Sequence, residues 1–184
     1  MTGIIFLCIT VVIVLIIIGG YNNGVKLRNY VREAFSTMDV YLKKRWDLIP
    51  NLVETVKGYA EHEKELFEKL TELRSGNYST MSELQKIEMN SELTQILSRL
   101  IAVAENYPEL KANQNFMQLS DELSAVENDI ANSRKYYNGT VRELNTFLEL
   151  FPTNIIGSAF GFQKEKLFEI AESERQNVKV SFND

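Results

Sequence analysis

The first 25 residues contain no charged side chain, and this feature constrains the chain more than any other. Residues 3–20 form an almost purely apolar run, which as a helix spans about 27 Å at ~1.5 Å per residue. That length crosses the hydrocarbon core of a bilayer, where a single span must be helical to satisfy its own backbone. We therefore predict a transmembrane anchor, whose lipid-facing residues are Ile4, Ile5, Phe6, Leu7, Ile9, Val11, Val12, Ile13, Val14, Leu15, Ile16, Ile17 and Ile18.

A cleaved signal peptide is the alternative interpretation of this run. Signal peptides need a basic start and a cleavage site of small residues. Here residues 1–3 carry no base and residues 19–22 match a cleavage site weakly, so the anchor is favoured. Cys8 is predicted to be an apolar filler of the span, and Gly20 and Gly24 form a weak small-xxx-small pair through which two spans could approach.

Basic residues follow the apolar run and none precedes it. The nearest are Lys26, Arg28 and Arg32, so the positive-inside rule predicts an external N-terminus and a cytoplasmic body. Residues 26–45 hold six basic and two acidic side chains, a net charge of +4, whereas residues 46–184 carry −9. This balance predicts attraction of the juxtamembrane region to anionic headgroups, and no nucleic-acid binding by the body.

Beyond the anchor, apolar residues recur every three or four positions, which is the period of one helix face. Four such stripes cover residues 27–42, 52–73, 84–103 and 116–151, and strand signals are nearly absent. The predicted fold class is all-α: an antiparallel four-helix bundle with long helices, preceded by one N-terminal transmembrane helix. The helix over residues 21–47 is predicted to continue the anchor, and Pro50 either kinks a long helix or opens the next one.

The chain is predicted to have three segments: the anchor (1–20), the bundle (21–150) and a C-terminal region (151–184) that packs on the bundle. This last region comprises an apolar turn over 151–162, a short helix over 164–176 and a strand-like tail at 178–182, which trails or pairs with another copy. The turn either closes the end of the bundle or contacts the bilayer or a neighbouring subunit through Ile155, Ile156, Phe160 and Phe162.

Side chains that build common catalytic and metal sites are scarce. One Cys and one His exclude internal disulfides, multi-Cys zinc sites and the paired Glu-x-x-His motifs of ferritin-like di-iron proteins. His62 is predicted to lie at the surface or boundary, whereas Glu63 falls in an apolar stripe and needs a basic partner, for which Arg99, Lys69 and Arg134 are candidates. We predict no catalytic residue, metal, cofactor or small-molecule substrate.

Several strings of residues, taken together, resemble the LemA family. They include LRN at 27–29, AFS at 34–36, LKKR at 42–45, DLIPNLVETVKGYAEHE at 47–63, AVAENYPELKAN at 102–113 and FPTNII at 151–156. The similarity runs from residue 21 to the C-terminus. The resemblance implies a bacterial-type membrane protein with a short external N-terminus, one span and an antiparallel helical bundle. The family has no established enzymatic activity, so the resemblance implies no catalytic residues.

These features favour a non-enzymatic, membrane-anchored helical scaffold or adaptor at the cytoplasmic face of the membrane. Such a protein would form homo-oligomers or recruit other membrane-associated proteins. The alternative is a membrane-binding or membrane-remodelling protein that acts through the basic juxtamembrane helix and residues 155–162. In both interpretations the lipid bilayer is a partner.

Overall fold

The structure, a computed structural model, describes residues 1–60, 62–74 and 76–168, and its regular elements there are all helical. The α-helices are α1 (Thr2–Lys57), α2 (Lys64–Leu73), α3 (Glu83–Glu105), α4 (Pro108–Lys111), α5 (Gln114–Glu149) and α6 (Thr153–Ala159), with a 3₁₀ turn at Tyr78–Thr80. The predicted all-helical class is confirmed, with one long apolar N-terminal helix and no strand within these residues. The strand-like segment at 178–182 lies outside them.

Helix α1 is continuous for 56 residues, so the predicted continuation of the anchor into the following helix is confirmed. It also passes through Pro50, which therefore does not open a new helix. Ile49, Leu52 and Val56 are buried on either side of Pro50. Burial of each such side chain stabilises by roughly 1.5–3 kcal/mol, and together they offset the cost of about 3 kcal/mol for an interior proline. The helix ends instead before Gly58.

The chain divides into two compact units, and the first comprises Met1–Val40 and residues 130–167. Within it α1 and α5 are antiparallel, because the Phe35 ring lies 5.9 Å from that of Tyr137 while Gly24 faces Phe147. The seam of α5 follows the predicted stripe through Val141 and Leu144. It ends before the position expected, since Phe151 lies beyond the helix and is exposed.

The second unit contains residues 41–129 and 168 of the described chain. It holds the end of α1, helices α2 to α4 and the start of α5, and α2 packs against α3. Ser82 begins α3 with a capping box, in which its hydroxyl accepts from the backbone of Gln85 and the Gln85 side chain accepts from the Ser82 backbone. Asn113 accepts a hydrogen bond from the Phe116 backbone at the start of α5.

Candidate membrane-facing site

The predicted lipid-facing residues form an apolar helical surface that no other part of the described chain covers. From Ile4 to Ile18, the large apolar side chains named above are all between 38% and 74% exposed. This part of α1 is long and apolar enough to cross a membrane, and none of it is buried inside the protein. A helix that is apolar all round requires an apolar surrounding, so the structure is compatible with membrane anchoring. Cys8 is exposed on the same surface.

Helix α6 packs against α1 where the apolar run ends, at two glycines. A β-carbon at Gly20 would lie only 2.4 Å from Ile156 Cδ1, and one at Gly24 would lie 3.0 Å from ring atoms of both Phe147 and Phe162. The missing side chains therefore make room for α6 and the segment after it. Ile156, Phe147 and Phe162 fill the face of α1 that carries Gly20 and Gly24. The prediction that two spans approach each other through this pair is therefore wrong for that face.

An aromatic cluster surrounds this contact. The Tyr21 ring lies 4.8 Å from that of Phe160 and 6.0 Å from that of Phe162, between ring centroids. Phe162 also lies 6.5 Å from Phe147 in an edge-on arrangement. Such pairs stabilise by about 0.5–1.5 kcal/mol beyond the apolar area that they bury. The cluster thus holds residues 160–162 to the first turn of α1 beyond the apolar run.

The four residues predicted to contact a membrane or subunit fall into two sets. Ile155 and Phe160 are 60% and 51% exposed, whereas Ile156 is buried and Phe162 is half-buried. Ile156 cannot serve as the predicted external contact, because it packs on Gly20. Leu150 and Phe151, which lie between α5 and α6, are exposed as well.

The three predicted juxtamembrane bases differ in their surroundings. Lys26 and Arg32 are exposed, and the Lys26 ammonium lies 5.5 Å from the centroid of the Tyr30 ring. Arg28 is half-buried, with its guanidinium 5.2 Å from the centroid of Phe162. Arg28 is therefore part of the aromatic cluster as well as a cation, through a cation–π contact.

The segment after α6 is extended and lies along α5. Asn145 accepts a hydrogen bond from the Glu165 backbone N–H at 3.0 Å and donates one to the Glu165 carbonyl at 2.9 Å. The Tyr137 hydroxyl donates to the Lys166 carbonyl at 3.1 Å. The helix predicted over residues 164–176 is therefore absent from 164–168, where the backbone pairs with side chains of α5 instead; the remaining positions lie outside the described residues.

A buried arginine that the sequence analysis missed lies in the second unit. Arg45 is fully buried, and its guanidinium donates to Asn90 Oδ1 and to Thr94 Oγ1, each at 2.8 Å. Its Nε lies 2.9 Å from Glu127 Oε1, on a side chain that is 39% exposed. One side chain of α1 thus bonds to both α3 and α5. A planar guanidinium with five donors suits such a three-sided contact.

The predicted ion pair of Glu63 is wrong. Glu63 is half-buried just before α2 and forms no ion pair within the described residues. Lys69, one of its predicted partners, bonds to Glu65 Oε1 at 2.8 Å. The Lys69 ammonium lowers the pKa of the Glu65 carboxyl below its ordinary value through this hydrogen bond and its charge. His62 is exposed, as predicted.

A polar cleft of about 610 Å³ lies between the end of α1 and the start of α5. Its walls include Asn51, Glu54, Tyr59, Asn113 and Gln118, and Asn113 donates to the Tyr59 hydroxyl at 3.0 Å. The polar groups on these walls are mainly amides and hydroxyls, and Glu54 contributes a carboxylate. In the part of the chain that the structure describes, no group of three or more His, Cys, Asp or Glu side chains is placed to hold a metal ion.

Comparison with known proteins places the chain in a family. The model of the LemA family matches residues 34–182. The chain belongs to the LemA family. The matched residues include the last part of α1, the later helices, and Arg45 with its three partners. The match confirms the resemblance identified from the sequence.

Curated relatives of this LemA-family chain come from two named groups. Protein LemA of Metamycoplasma hominis is 26% identical over 165 residues, which cover 89% of this chain and 75% of that protein. Magnetosome protein MamQ 2 of Paramagnetospirillum magneticum is 22% identical over 175 residues, covering 81% of this chain. Magnetosome protein MamQ of Magnetospirillum gryphiswaldense is 20% identical over 174 residues and 80% of this chain. The matches span 64% of the length of each magnetosome protein.

Proposed function

We propose that this LemA-family chain is a membrane-anchored helical scaffold or adaptor, which acts without catalysis by self-associating or by recruiting partners. The observation that carries the proposal is α1, a single helix that begins in the exposed apolar run and continues without interruption to Lys57. A helix that continues from an anchor into a folded region holds that region at the membrane. Family membership and the similarity to the MamQ proteins support a membrane-associated helical protein.

We propose that the helices beyond the anchor form an antiparallel four-helix bundle. Two sets of contacts support this arrangement. Arg45 and Glu127, together with Tyr59 and Asn113, align α1 and α5 in opposite directions within the second unit. Arg45 also bonds to α3, against which α2 packs. Four helical segments in mutual contact can enclose one shared apolar core.

The proposed topology has the N-terminus outside and the body in the cytoplasm. Its support is the asymmetry of charge, since Lys26, Arg28 and Arg32 follow the span and no basic side chain precedes it. Short flanks rich in lysine and arginine are retained on the cytoplasmic side. Arg45, one of the six basic side chains of residues 26–45, is fully buried and therefore adds no charge at the surface.

Crosslinking in native membranes tests the scaffold proposal. A photoreactive amino acid placed at exposed positions of the helical body, such as Glu68, Glu88 and Lys135, samples three different helices. We expect at least one position to give a discrete adduct, either a dimer or a complex with one other protein. The matched control places the same group at buried Leu100, where only crosslinks within one chain are expected. Monomers at every exposed position, tiled along α2, α3 and α5, would overturn the proposal.

A further inference from the structure

Four exposed apolar side chains lie in α6 or directly before and after it: Leu150, Phe151, Ile155 and Phe160. We call them the displayed set. Each is more than half exposed, and all four belong to the first unit. Their exposure is not a consequence of a loose segment, because Ile156 and Gly157 of the same helix are buried against Gly20 and Leu148. The helix is therefore held in place by one side while it presents the other.

The displayed set adjoins the anchor. Its Phe160 ring contacts Tyr21, and α6 packs on Gly20, the last residue of the apolar run. Residues 150–163 contain no charged side chain, and α6 itself has the sequence TNIIGSA. The end of the apolar run, Gly20, is thus in contact with a second segment that carries no charge.

We propose that the displayed set inserts into the boundary between headgroups and acyl chains, so that α6 is a second, interfacial contact with the same bilayer that the anchor crosses. The contact with Gly20 indicates that the partner of the displayed set is lipid. If the anchor lies in the bilayer, the side chains that pack beside its last residue are next to the same lipid. Exposed apolar side chains that lie close to one another are typical of such contact surfaces.

The neighbouring charges and aromatic rings fit this depth. Lys26 lies six residues beyond Gly20, about 9 Å along the helix axis, and is exposed where phosphate groups would be expected. Tyr21 and Phe160 pack against each other, with tilted ring planes, next to Gly20. Aromatic side chains are enriched at this boundary between membrane and water. Insertion of the displayed set is a role separate from scaffolding, because no partner protein need touch these residues.

Site-specific labelling of the full chain in vesicles tests the proposal. With Cys8 replaced by Ala, an environment-sensitive fluorophore is attached to Ile155→Cys, and the protein is reconstituted in phosphatidylcholine–phosphatidylglycerol vesicles. Ile9→Cys, within the span, is the positive control. Val40→Cys is the matched negative control: its side chain is 65% exposed, in the same unit and on the same helix as the anchor. It lies 20 residues beyond Gly20, about 30 Å along the axis.

We expect nitroxide-bearing lipids to quench the label at position 155 several-fold more than the label at position 40, and iodide in water to do the reverse. Anionic and zwitterionic vesicles should both give this pattern, because the contact is apolar. Equal quenching at positions 155 and 40 would overturn the proposal. A second result would also overturn it: the label at position 155 is protected from iodide but is not quenched by lipid nitroxides, and this protection disappears as the protein is diluted in lipid. A second copy of the chain, and not lipid, would then cover the displayed set.

A second measurement guards against a folding artefact at position 155. Phe151→Cys carries the label on the most exposed member of the displayed set, outside α6. Hydrogen exchange of α6 in both labelled proteins establishes that the helix still forms. Quenching by lipid nitroxides at both position 155 and position 151 supports insertion. Quenching at neither position, while α6 is intact, overturns the proposal. Crosslinks between copies do not enter this readout, so the scaffold proposal can fail independently.

Discussion

Ile156 lies directly against Gly20, with its Cδ1 atom 2.4 Å from the point that a β-carbon at Gly20 would occupy. This contact joins α6 to the end of the apolar run. The same contact buries Ile156, whereas Ile155 and Phe160, which precede and follow it in the sequence, are exposed.

Gly20→Val should release α6 from α1. The added side chain overlaps Ile156, and overpacking of this kind costs about 1–3 kcal/mol. Hydrogen exchange of the α6 amides in nanodiscs should accelerate. Gly19→Val is the control, because nothing lies within 4 Å of a β-carbon there. Equal exchange in the two variants would contradict the contact, and Ile156→Ala in the Gly20→Val background should restore part of the protection.

Arg45→Ala should be strongly destabilising. The change leaves Asn90, Thr94 and Glu127 without the guanidinium that they face. Leaving the buried Asn90 acceptor without a donor costs about 1–3 kcal/mol, and the cavity left by the fully buried arginine side chain adds to that cost. Glu127→Gln should cost less than Arg45→Ala, because glutamine keeps an oxygen that can accept from Arg45 and opens no cavity. Thermal unfolding followed by the fluorescence of Trp46, the single tryptophan, measures both. Similar losses for the two variants would contradict this ranking.

Asn145→Ala should loosen the extended segment along α5. The variant loses both hydrogen bonds to the backbone of Glu165, each contributing about 0.5–1.5 kcal/mol. The Glu165 amide should then exchange with solvent several-fold faster, and Tyr137→Phe should have a smaller effect at residues 166 and 167, since one bond is lost. Unchanged exchange at Glu165 in Asn145→Ala would show that these bonds do not hold the segment.

Two glycines should respond in opposite directions to alanine. Gly139 lies inside α5 with nothing within 4 Å of a β-carbon, so Gly139→Ala should stabilise by about 0.5–1 kcal/mol through the lower entropy of the unfolded chain. At Gly157 a β-carbon would lie 2.5 Å from Leu148 Cδ2, so Gly157→Ala should destabilise. Thermal unfolding in detergent compares the two, and a stabilising Gly157→Ala would contradict the packing of α6.

The period of apolar residues predicted the helices well because helix faces repeat locally. The stripe from Phe116 to Leu148 corresponds to the seam of α5, and the α3 stripe corresponds to its buried Leu93, Leu97 and Leu100. The same register contained the signal for the missed contact. Arg45 falls between Leu42 and Ile49 at spacings of three and four, and a charged residue in register with an apolar stripe indicates a buried polar contact.

The period of apolar residues could not predict contacts between helices, because it does not show which helix covers which face. The three partners of Arg45 lie 45 to 82 positions away in the sequence, and many other polar side chains could have filled that role. The difference in burial between Ile155 and Ile156 likewise depends on the position of Gly20, since the two side chains are equally apolar. The extended run at 162–168 arises because Asn145 and Tyr137 supply backbone partners that a helix would not leave free.

Alkaline carbonate extraction of the mature protein, combined with its intact mass, tests the anchor most directly. We expect the chain to stay in the membrane pellet with residues 1–20 present, because an exposed apolar helix of this length remains in lipid when peripheral proteins are stripped. Recovery of a soluble chain whose mass lacks those residues would contradict it.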